Sequence, residues 1–225
     1  MDLESRGAAR SRPPLESLYR PLRSEDEIRL IRLETPTATA TPADHDPNGM
    51  LLCSLVHVRR DEEAAYTALS YTWGDSTQQA PVCVDGTVVW IGVNLEGALR
   101  ALRDHCAVRT VWADQLCIHQ ADDAEKSAQV QHMKEIYADA FQVVAYLGPA
   151  TASSDAFMAR LRQMGDAARS RTARRKLRRL YAKKKRLAGL AEDFDRFCKR
   201  PYWSRLWTIQ EYAVAWDLKI VWGSE

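Results

Sequence analysis

The chain has 225 residues, of which 46% are hydrophobic and 28% are charged, proportions typical of one globular domain of average size with insertions. A formal net charge of +2 does not favour a uniformly basic nucleic-acid-binding protein. No run of about 18 apolar residues predicts a membrane span. Residues 1–14 also lack the apolar stretch of a secretory signal.

The cysteines are scattered along the chain, and their number is odd. Because no pair has Cys-x-x-Cys spacing, neither a disulfide framework nor a zinc site is predicted. The histidines likewise show no metal-ligand spacing, so no metal is expected. Reduced thiols indicate a cytoplasmic location. The five cysteines are Cys53, Cys83, Cys106, Cys117 and Cys198.

The first part of the chain predicts strands. Residues 1–25 are polar and are expected to form a tail, and residues 35–48, rich in Thr, Pro, Ala and Asp, are expected to form a loop. Asp85-Gly86 between two apolar runs predicts a β-hairpin. The predicted strands are 27–34, 50–58, 66–71 and the two arms of the hairpin within 82–91.

Helices and strands alternate in the middle of the chain. Asn94 is expected to cap one helix, and Asp122, with Glu125 in a capping box, is expected to cap a second. Strands are predicted at 110–113 and 141–147. This order predicts an α/β fold with a mainly parallel sheet flanked by helices. The apolar stripe of the second helix consists of Val130, Met133, Ile136, Tyr137 and Ala140.

Ligands of such sheets bind beyond the carboxyl ends of the strands. The segments that follow the predicted strands, and are therefore candidates for ligand binding, are 70–75, 114–120 and the stretch after Gly148. Asp114 would either cap the next turn or face a ligand. Trp73 would either stack on a ligand ring or pack under the hairpin. Cys117 would be a buried thiol, or a nucleophile with His119 as its base.

Residues 151–199 are predicted to form a helical insertion within a single domain of residues 26–225. Residues 169–186 contain eleven Lys and Arg and no acid, and the rest of the chain carries a net charge of −9. This run is interpreted as a solvated amphipathic helix, with a nuclear-import signal, an anionic-surface contact or an RNA contact as alternatives.

A final helix is predicted over 200–213, entered through Pro201, with a strand at 218–222 after it. Its apolar face would contain Trp203, Leu206, Trp207, Gln210 and Val214. Glu211 lies at the edge of that face. Its carboxylate would pair with Arg205 or Arg200, point to water, or serve a function.

Three blocks of sequence resemble the fungal heterokaryon-incompatibility (HET) domain. They are Tyr-Thr-Ala-Leu-Ser-Tyr-Thr-Trp-Gly-Asp at 66–75, Val-Trp-Ala-Asp-Gln-Leu-Cys-Ile-His-Gln at 111–120, and Pro-Tyr-Trp-Ser-Arg-Leu-Trp-Thr-Ile-Gln-Glu at 201–211. The blocks follow the family's order and cover 66–215. His119 departs from the pattern, because the family usually has Asn there. The HET family is associated with allorecognition and regulated cell death in filamentous fungi.

The resemblance further implies a distant relation to TIR domains and a TIR-like, flavodoxin-like sheet, here with an inserted β-hairpin and extra N-terminal strands. In TIR domains a Trp-x-x-x-Glu helix follows the third strand. In the catalytic members, the glutamate of that helix is required for cleavage of NAD at the nicotinamide–ribose bond. Trp207 to Glu211 matches this pattern after the predicted strand 141–147. The resemblance therefore implies that Glu211 is catalytic, with NAD as substrate and no cofactor.

The chemistry of NAD cleavage agrees with a single carboxylate. The ribose becomes oxocarbenium-like, which a nearby carboxylate stabilises, and nicotinamide leaves as a neutral molecule without a strong general acid. Side chains near the strand ends are expected to bind the substrate by ring stacking or by contacts with hydroxyl groups. These expected binding residues are Ser70, Tyr71, Trp73, Gly74, Asp75, Asp114, Cys117 and Trp207.

The resemblance leaves two functions open. One is an NAD glycohydrolase activated by self-association into a dimer or higher oligomer. The other is a non-catalytic interaction module that assembles with like domains, in which Glu211 is structural. A third interpretation makes the basic run the functional part, with nucleic acid or anionic lipid as its partner.

Overall fold

The structure, a computed structural model, describes residues 15–35, 49–60, 64–103, 107–168 and 184–223, together with residues 172 and 175. Its strands are β1 (Glu27–Leu33), β2 (Leu51–Arg59), β3 (Thr67–Tyr71), β4 (Gln79–Val84), β5 (Thr87–Gly92), β6 (Arg109–Trp112), β7 (Gln142–Tyr146) and β8 (Leu218–Val221). Its α-helices are α1 (Val93–Leu102), α2 (Asp114–Cys117), α3 (Asp123–Gln131), α4 (Met133–Asp139), α5 (Ser154–Ala168), α6 (Lys184–Cys198) and α7 (Trp207–Ala213). Leu15–Leu18 and Pro201–Ser204 are 3-10 helices.

Four strands form a parallel unit within the sheet, in the order β6-β3-β7-β8. Numbered along the chain, this is the second-first-third-fourth order of flavodoxin-like folds. Every residue of β3 is buried, as expected for a parallel strand that is covered on both faces. The predicted α/β class is therefore confirmed, and the carboxyl ends of β3 and β6 lie side by side.

The N-terminal strands extend the sheet beyond β6. β1 runs antiparallel to β6, with Ile31 opposite Val111, and β2 runs antiparallel to β1. The predicted hairpin joins next, because β4 pairs with β2. Asp85 and Gly86 both have positive φ, 50° and 77°, which is the geometry of a type I′ turn. The complete sheet is mixed with a parallel majority, since four of its seven strand pairings are parallel and three are antiparallel.

The predicted insertion contains α5 and α6, which surround a second apolar cluster beside the main core. Phe157 of α5 is fully buried, with its ring 5.5 Å from Phe197 and 6.2 Å from Trp222. These aromatic contacts attach the insertion to the sheet edge near β8. Most of the basic run 169–186 lies outside the described residues. Among the described residues, no helix has the length and apolar character needed to cross a bilayer.

One of the two predicted helix starts differs from the structure. Asn94 does not cap α1, whose N-cap is Gly92, and its side chain instead donates to the Thr72 carbonyl at 3.0 Å. Asp122 does cap α3, as predicted, by accepting from the amides of Ala124 and Glu125. The reciprocal half of the capping box is absent, because the Glu125 carboxylate accepts from the His119 amide and from Arg29.

The long helices predicted around 122–140 and 200–213 are each divided. The first breaks at His132 into α3 and α4, and Val130 of the predicted apolar stripe is 38% exposed. The second consists of the 3-10 helix Pro201–Ser204 followed by α7, with Arg205 in an extended conformation between them. This division decides which side of α7 faces the protein.

Candidate functional site

A cavity of about 510 Å³ lies beyond the carboxyl ends of β3 and β6, a volume typical of small-molecule sites. We call it the strand-end cavity. Its wall consists of the loops that follow β3 and α2, together with residues of α2, α3, α4 and α7 and Arg205 before α7. Its lining residues are Thr72, Trp73, Gly74, Asp114, Ile118, Gln120, Lys126, Val130, Met133, Arg205 and Trp207.

The loop after β3 is held in one conformation beside this cavity. Gly74 has φ +78°, and a Cβ at this position would lie 2.7 Å from Asn94 Nδ2, so glycine is required. Trp73 Nε1 donates to Asp114 Oδ2 at 2.8 Å, which links the ends of β3 and β6. The indole of Trp73 is 39% exposed and does not pack under the hairpin as a buried residue would.

Glu211 is 2% exposed and lies in a polar cluster behind the cavity wall. Its Oε2 accepts a short hydrogen bond from Ser70 Oγ, and its Oε1 is 3.9 Å from Arg205 Nη2. Burial raises the pKa of Glu211, while the Ser70 hydrogen bond and the Arg205 charge oppose that rise. The fold therefore holds a carboxyl group whose ionisation depends on these two neighbours.

Ser70 also connects Glu211 to a buried tyrosine. Its Oγ lies 2.7 Å from the Tyr202 hydroxyl. Since the Ser70 proton is directed at Glu211, Tyr202 donates to Ser70. Burial raises the pKa of Tyr202 to about 12, so this tyrosine keeps its proton at neutral pH. In this series of hydrogen bonds, from Tyr202 to Ser70 and from Ser70 to Glu211, Oε2 of Glu211 is the final acceptor.

Asp114 is a second carboxyl group whose pKa is shifted from its usual value. Burial raises its pKa, and the Trp73 indole and the Gln115 amide are among the hydrogen-bond donors that lower it. Its charge adds to burial in raising the pKa of the buried Tyr71 hydroxyl. The charge of Asp114 also raises the pKa of Glu211, so the two carboxyl groups are electrostatically coupled.

The structure brings together only part of the predicted binding set. Trp73, Gly74, Asp114 and Trp207 line the cavity. Ser70 and Tyr71 are buried behind it, and Ser70 contacts Glu211 rather than the cavity. Asp75 is exposed and accepts from Thr77 within its own turn. No described contact tests these binding roles, and they stay predictions.

Cys117 is buried, and its Sγ accepts from the Ala113 amide at 3.3 Å. Burial raises the pKa of this thiol to about 12, which disfavours the thiolate that a nucleophile needs. The ring of His119 stacks on Tyr19 with a centroid distance of 4.6 Å. The interpretation of Cys117 as a buried thiol is the one that its surroundings favour.

One group of potential metal ligands occurs among the described residues, formed by His119, Asp122 and Glu125 with ligand atoms within 4.8 Å of one another. Both carboxylates already have partners. Asp122 caps α3, and Glu125 accepts from Arg29 at 2.6 and 2.8 Å. The arrangement is explained by the fold, and the expectation of no metal stays a prediction.

The predicted apolar face of the last helix does not point into the protein in α7, so this prediction was wrong. Thr208 and Glu211 are its buried residues, whereas Leu206 is 82% exposed and Trp207 is 51% exposed. Periodicity placed the apolar residues inside because such a stripe normally faces a core. Here the inner face of α7 meets polar groups, including Ser70 of β3. Sequence reasoning also missed Tyr202 and Lys126, for which no local pattern gave a signal.

Comparisons with known proteins identify the family of this chain. The family profile of the heterokaryon incompatibility protein (HET) matches residues 66–211. Heterokaryon incompatibility protein 6, OR allele, of Neurospora crassa is 31% identical over 204 residues, an alignment that covers 74% of this chain and 30% of that protein. The chain thus spans about a third of the curated relative's length. No solved structure matches. The matched segment runs from β3 to Glu211, and on this match the chain belongs to the heterokaryon incompatibility (HET) family.

Proposed function

We propose that this chain is a cytoplasmic cell-death effector domain of heterokaryon incompatibility and that it cleaves NAD at the nicotinamide–ribose bond. The relative in Neurospora carries heterokaryon incompatibility in its name. The observation that carries the enzymatic part is the position of Glu211. It lies on α7, the last helix in the connection between the third and fourth strands of a flavodoxin-ordered parallel unit, next to a cavity of small-molecule size.

The site has side chains suited to each part of this reaction. Exposed faces of Trp73 and Trp207 offer stacking surfaces for the nicotinamide or adenine ring. Asp114 offers a carboxyl group to ribose hydroxyls. Glu211 would stabilise the oxocarbenium-like ribose as neutral nicotinamide departs. A water molecule would then add to the ribosyl carbon and release a proton to the solvent, which gives ADP-ribose. The Ser70 hydrogen bond to Oε2 opposes the rise in the pKa of Glu211 that burial causes.

Self-association would use the exposed apolar side chains of α7 and the turn after it. We call these residues the α7 apolar surface: Leu206, Trp207, Ile209 and Trp216. Leu206 is 82% exposed and Trp216 is 92% exposed, which is unusual for large apolar residues close together in the chain. A second copy that covers this surface would also meet Trp207 at the mouth of the cavity. Assembly and the site would thereby be coupled.

The second candidate function is a non-catalytic homotypic interaction module. The observation in its favour is that Glu211 is 2% exposed and already has a donor in Ser70 and a counter-charge in Arg205. A carboxylate with this surrounding can hold α7 against β3 without meeting a substrate. In this case the α7 apolar surface alone carries the function.

Nicotinamide release by the purified protein separates the two functions. Wild type is compared with Glu211→Gln and with Glu135→Gln, a matched change at an exposed glutamate of α4. Release that rises steeply with protein concentration, is retained in Glu135→Gln and is lost in a folded Glu211→Gln supports the enzyme. A wild type that self-associates and releases no nicotinamide supports the interaction module.

A further inference from the structure

Arg205 connects the strand-end cavity with Glu211. Its side chain lines the cavity and is 23% exposed, so it is accessible to a bound molecule. On its other side, Nη2 lies 3.9 Å from Glu211 Oε1. Glu211 itself is not among the residues that line the cavity. Arg205 is thus the cation of the lining that lies beside Glu211, and a ligand in the cavity would influence Glu211 through it.

The guanidinium of Arg205 has donors to spare. An arginine carries five N–H groups. Among the described residues its side chain makes one hydrogen bond, from Nη1 to the Tyr71 carbonyl at the end of β3. The 3.9 Å contact with Glu211 is too long for a hydrogen bond. The bond to Tyr71 anchors one N–H group of the guanidinium, and the remaining donors are available to an acceptor in the cavity.

The chemistry of the wall indicates which acceptor this is. Lys126 of α3 is a second cation of the lining, and the indoles of Trp73 and Trp207 supply flat apolar surfaces. Lys126 lies 3.4 Å from Asp123 in an exposed pair, a weak contact that a ligand can replace. Rings bind to indoles, and phosphate oxygens bind to guanidinium and ammonium groups. Both chemistries occur together in nucleotides.

We propose that Arg205 is the phosphate-recognising residue of the strand-end cavity, binding a phosphate oxygen of the nucleotide substrate with the N–H groups that its bond to Tyr71 leaves free. This inference rests on the proposed function for the identity of the nucleotide. Its consequence is that one guanidinium serves both Glu211 and the substrate. Phosphate binding then orients the ribose of the same substrate relative to the carboxylate, which makes Arg205 a specificity-determining residue.

The test compares two probes that differ in phosphate. ADP-ribose carries a diphosphate and lacks the scissile nicotinamide bond, whereas adenosine carries no phosphate. Binding of each probe is measured by calorimetry for wild type, Arg205→Gln and Arg205→Lys. Lys134→Gln, on the exposed side of α4, is the matched charge control. We expect Arg205→Gln to weaken ADP-ribose binding about tenfold and adenosine binding by less than about twofold. Arg205→Lys should lie between wild type and Arg205→Gln, and Lys134→Gln should match wild type.

Equal losses for both probes in Arg205→Gln, or no loss for ADP-ribose, would overturn the inference. So would a wild type that binds adenosine as tightly as ADP-ribose. If Arg205→Gln does not unfold cooperatively, Arg205→Lys decides, because lysine keeps the charge but not the paired donors. NAD cleavage is measured in parallel. If the wild type cleaves NAD and Arg205→Gln binds ADP-ribose as tightly as the wild type, phosphate recognition is refuted and the enzymatic function is not. If Arg205→Gln selectively loses ADP-ribose binding and the wild type does not cleave NAD, the enzymatic function is refuted and phosphate recognition is not.

Discussion

Replacing Ser70 by alanine tests whether Glu211 is ionised in its buried position. The substitution removes the donor to Glu211 Oε2 and the partner of the Tyr202 hydroxyl, 2.7 Å away. A hydrogen bond to a charged group contributes about 1.5–3 kcal/mol. We therefore expect Ser70→Ala to lower the free energy of unfolding by about 2 kcal/mol at neutral pH. For a chain of this length that loss corresponds to a decrease in Tm of about 4 to 8 °C.

The pH dependence of this loss identifies the charge state. Burial raises the pKa of Glu211, and without Ser70 that pKa rises further. A raised pKa in the folded state means that stability is lost as the pH rises through it. Below 4.5, the usual value for this group, the carboxyl is protonated in both the folded and unfolded states and the loss shrinks.

Thermal unfolding at about pH 7.5 and about pH 4 is the measurement, and a larger decrease at the higher pH is expected. Ser127→Ala is the control, because Ser127 Oγ donates to the neutral Asp123 carbonyl on the exposed side of α3. Its effect should be small and the same at both pH values. Equal decreases for Ser70→Ala at the two pH values would show that Glu211 is neutral in the folded protein and refute the reasoning.

Three further substitutions test other parts of the structure. Gly74→Ala should destabilise by about 1 to 2 kcal/mol in urea unfolding, because φ is +78° there and the new Cβ would meet Asn94 Nδ2 at 2.7 Å. Glu125→Gln should destabilise by about 3 kcal/mol, since it leaves the Arg29 guanidinium, 1% exposed, without its counter-charge. Burial alone would raise the pKa of Glu125, but the donors around it lower that pKa, so the wild type should lose this contribution as the pH falls below 4.5. Trp216→Ser should leave Tm within about 1 °C of wild type, because the indole is 92% exposed, and should weaken self-association in sedimentation experiments.

The sequence predicted most strands because each has a local pattern. The Asp85-Gly86 turn fixed the hairpin, and the apolar runs before Asp114 and before Gly148 marked β6 and β7. The strand order followed no local rule. Placing β3 between β6 and β7 requires pairings such as Ala68 with Val143, which a hairpin, a strand and four helices separate in the chain. Periodicity in one segment carries no information about such long-range contacts.

Four of the residues expected to bind substrate line the cavity, but their arrangement in layers was not predicted, and their binding roles stay predictions. Trp73, Asp114 and Trp207 lie at the cavity, whereas Ser70 and Glu211 lie one layer behind it. The separation depends on the extended conformation of Arg205, which rotates α7 relative to the 3-10 helix Pro201–Ser204. A single continuous helix over the same residues would have placed Glu211 at a different angle to β3. Sequence spacing alone does not distinguish these two geometries.

Helix α7 combines two features that stability alone does not explain. Its inner face buries the carboxyl group of Glu211, although an apolar side chain of similar size would hold the helix to β3 at least as well. Its outer face exposes Leu206, Trp207 and Ile209 to water. A helix with its two faces exchanged would bury the apolar surface and expose the carboxylate. Both features of the observed helix therefore oppose the hydrophobic effect. A helix with this polarity is expected where the inner carboxylate serves the cavity and the outer face meets another molecule, and the tests at Glu211 and Trp216 address these two faces separately.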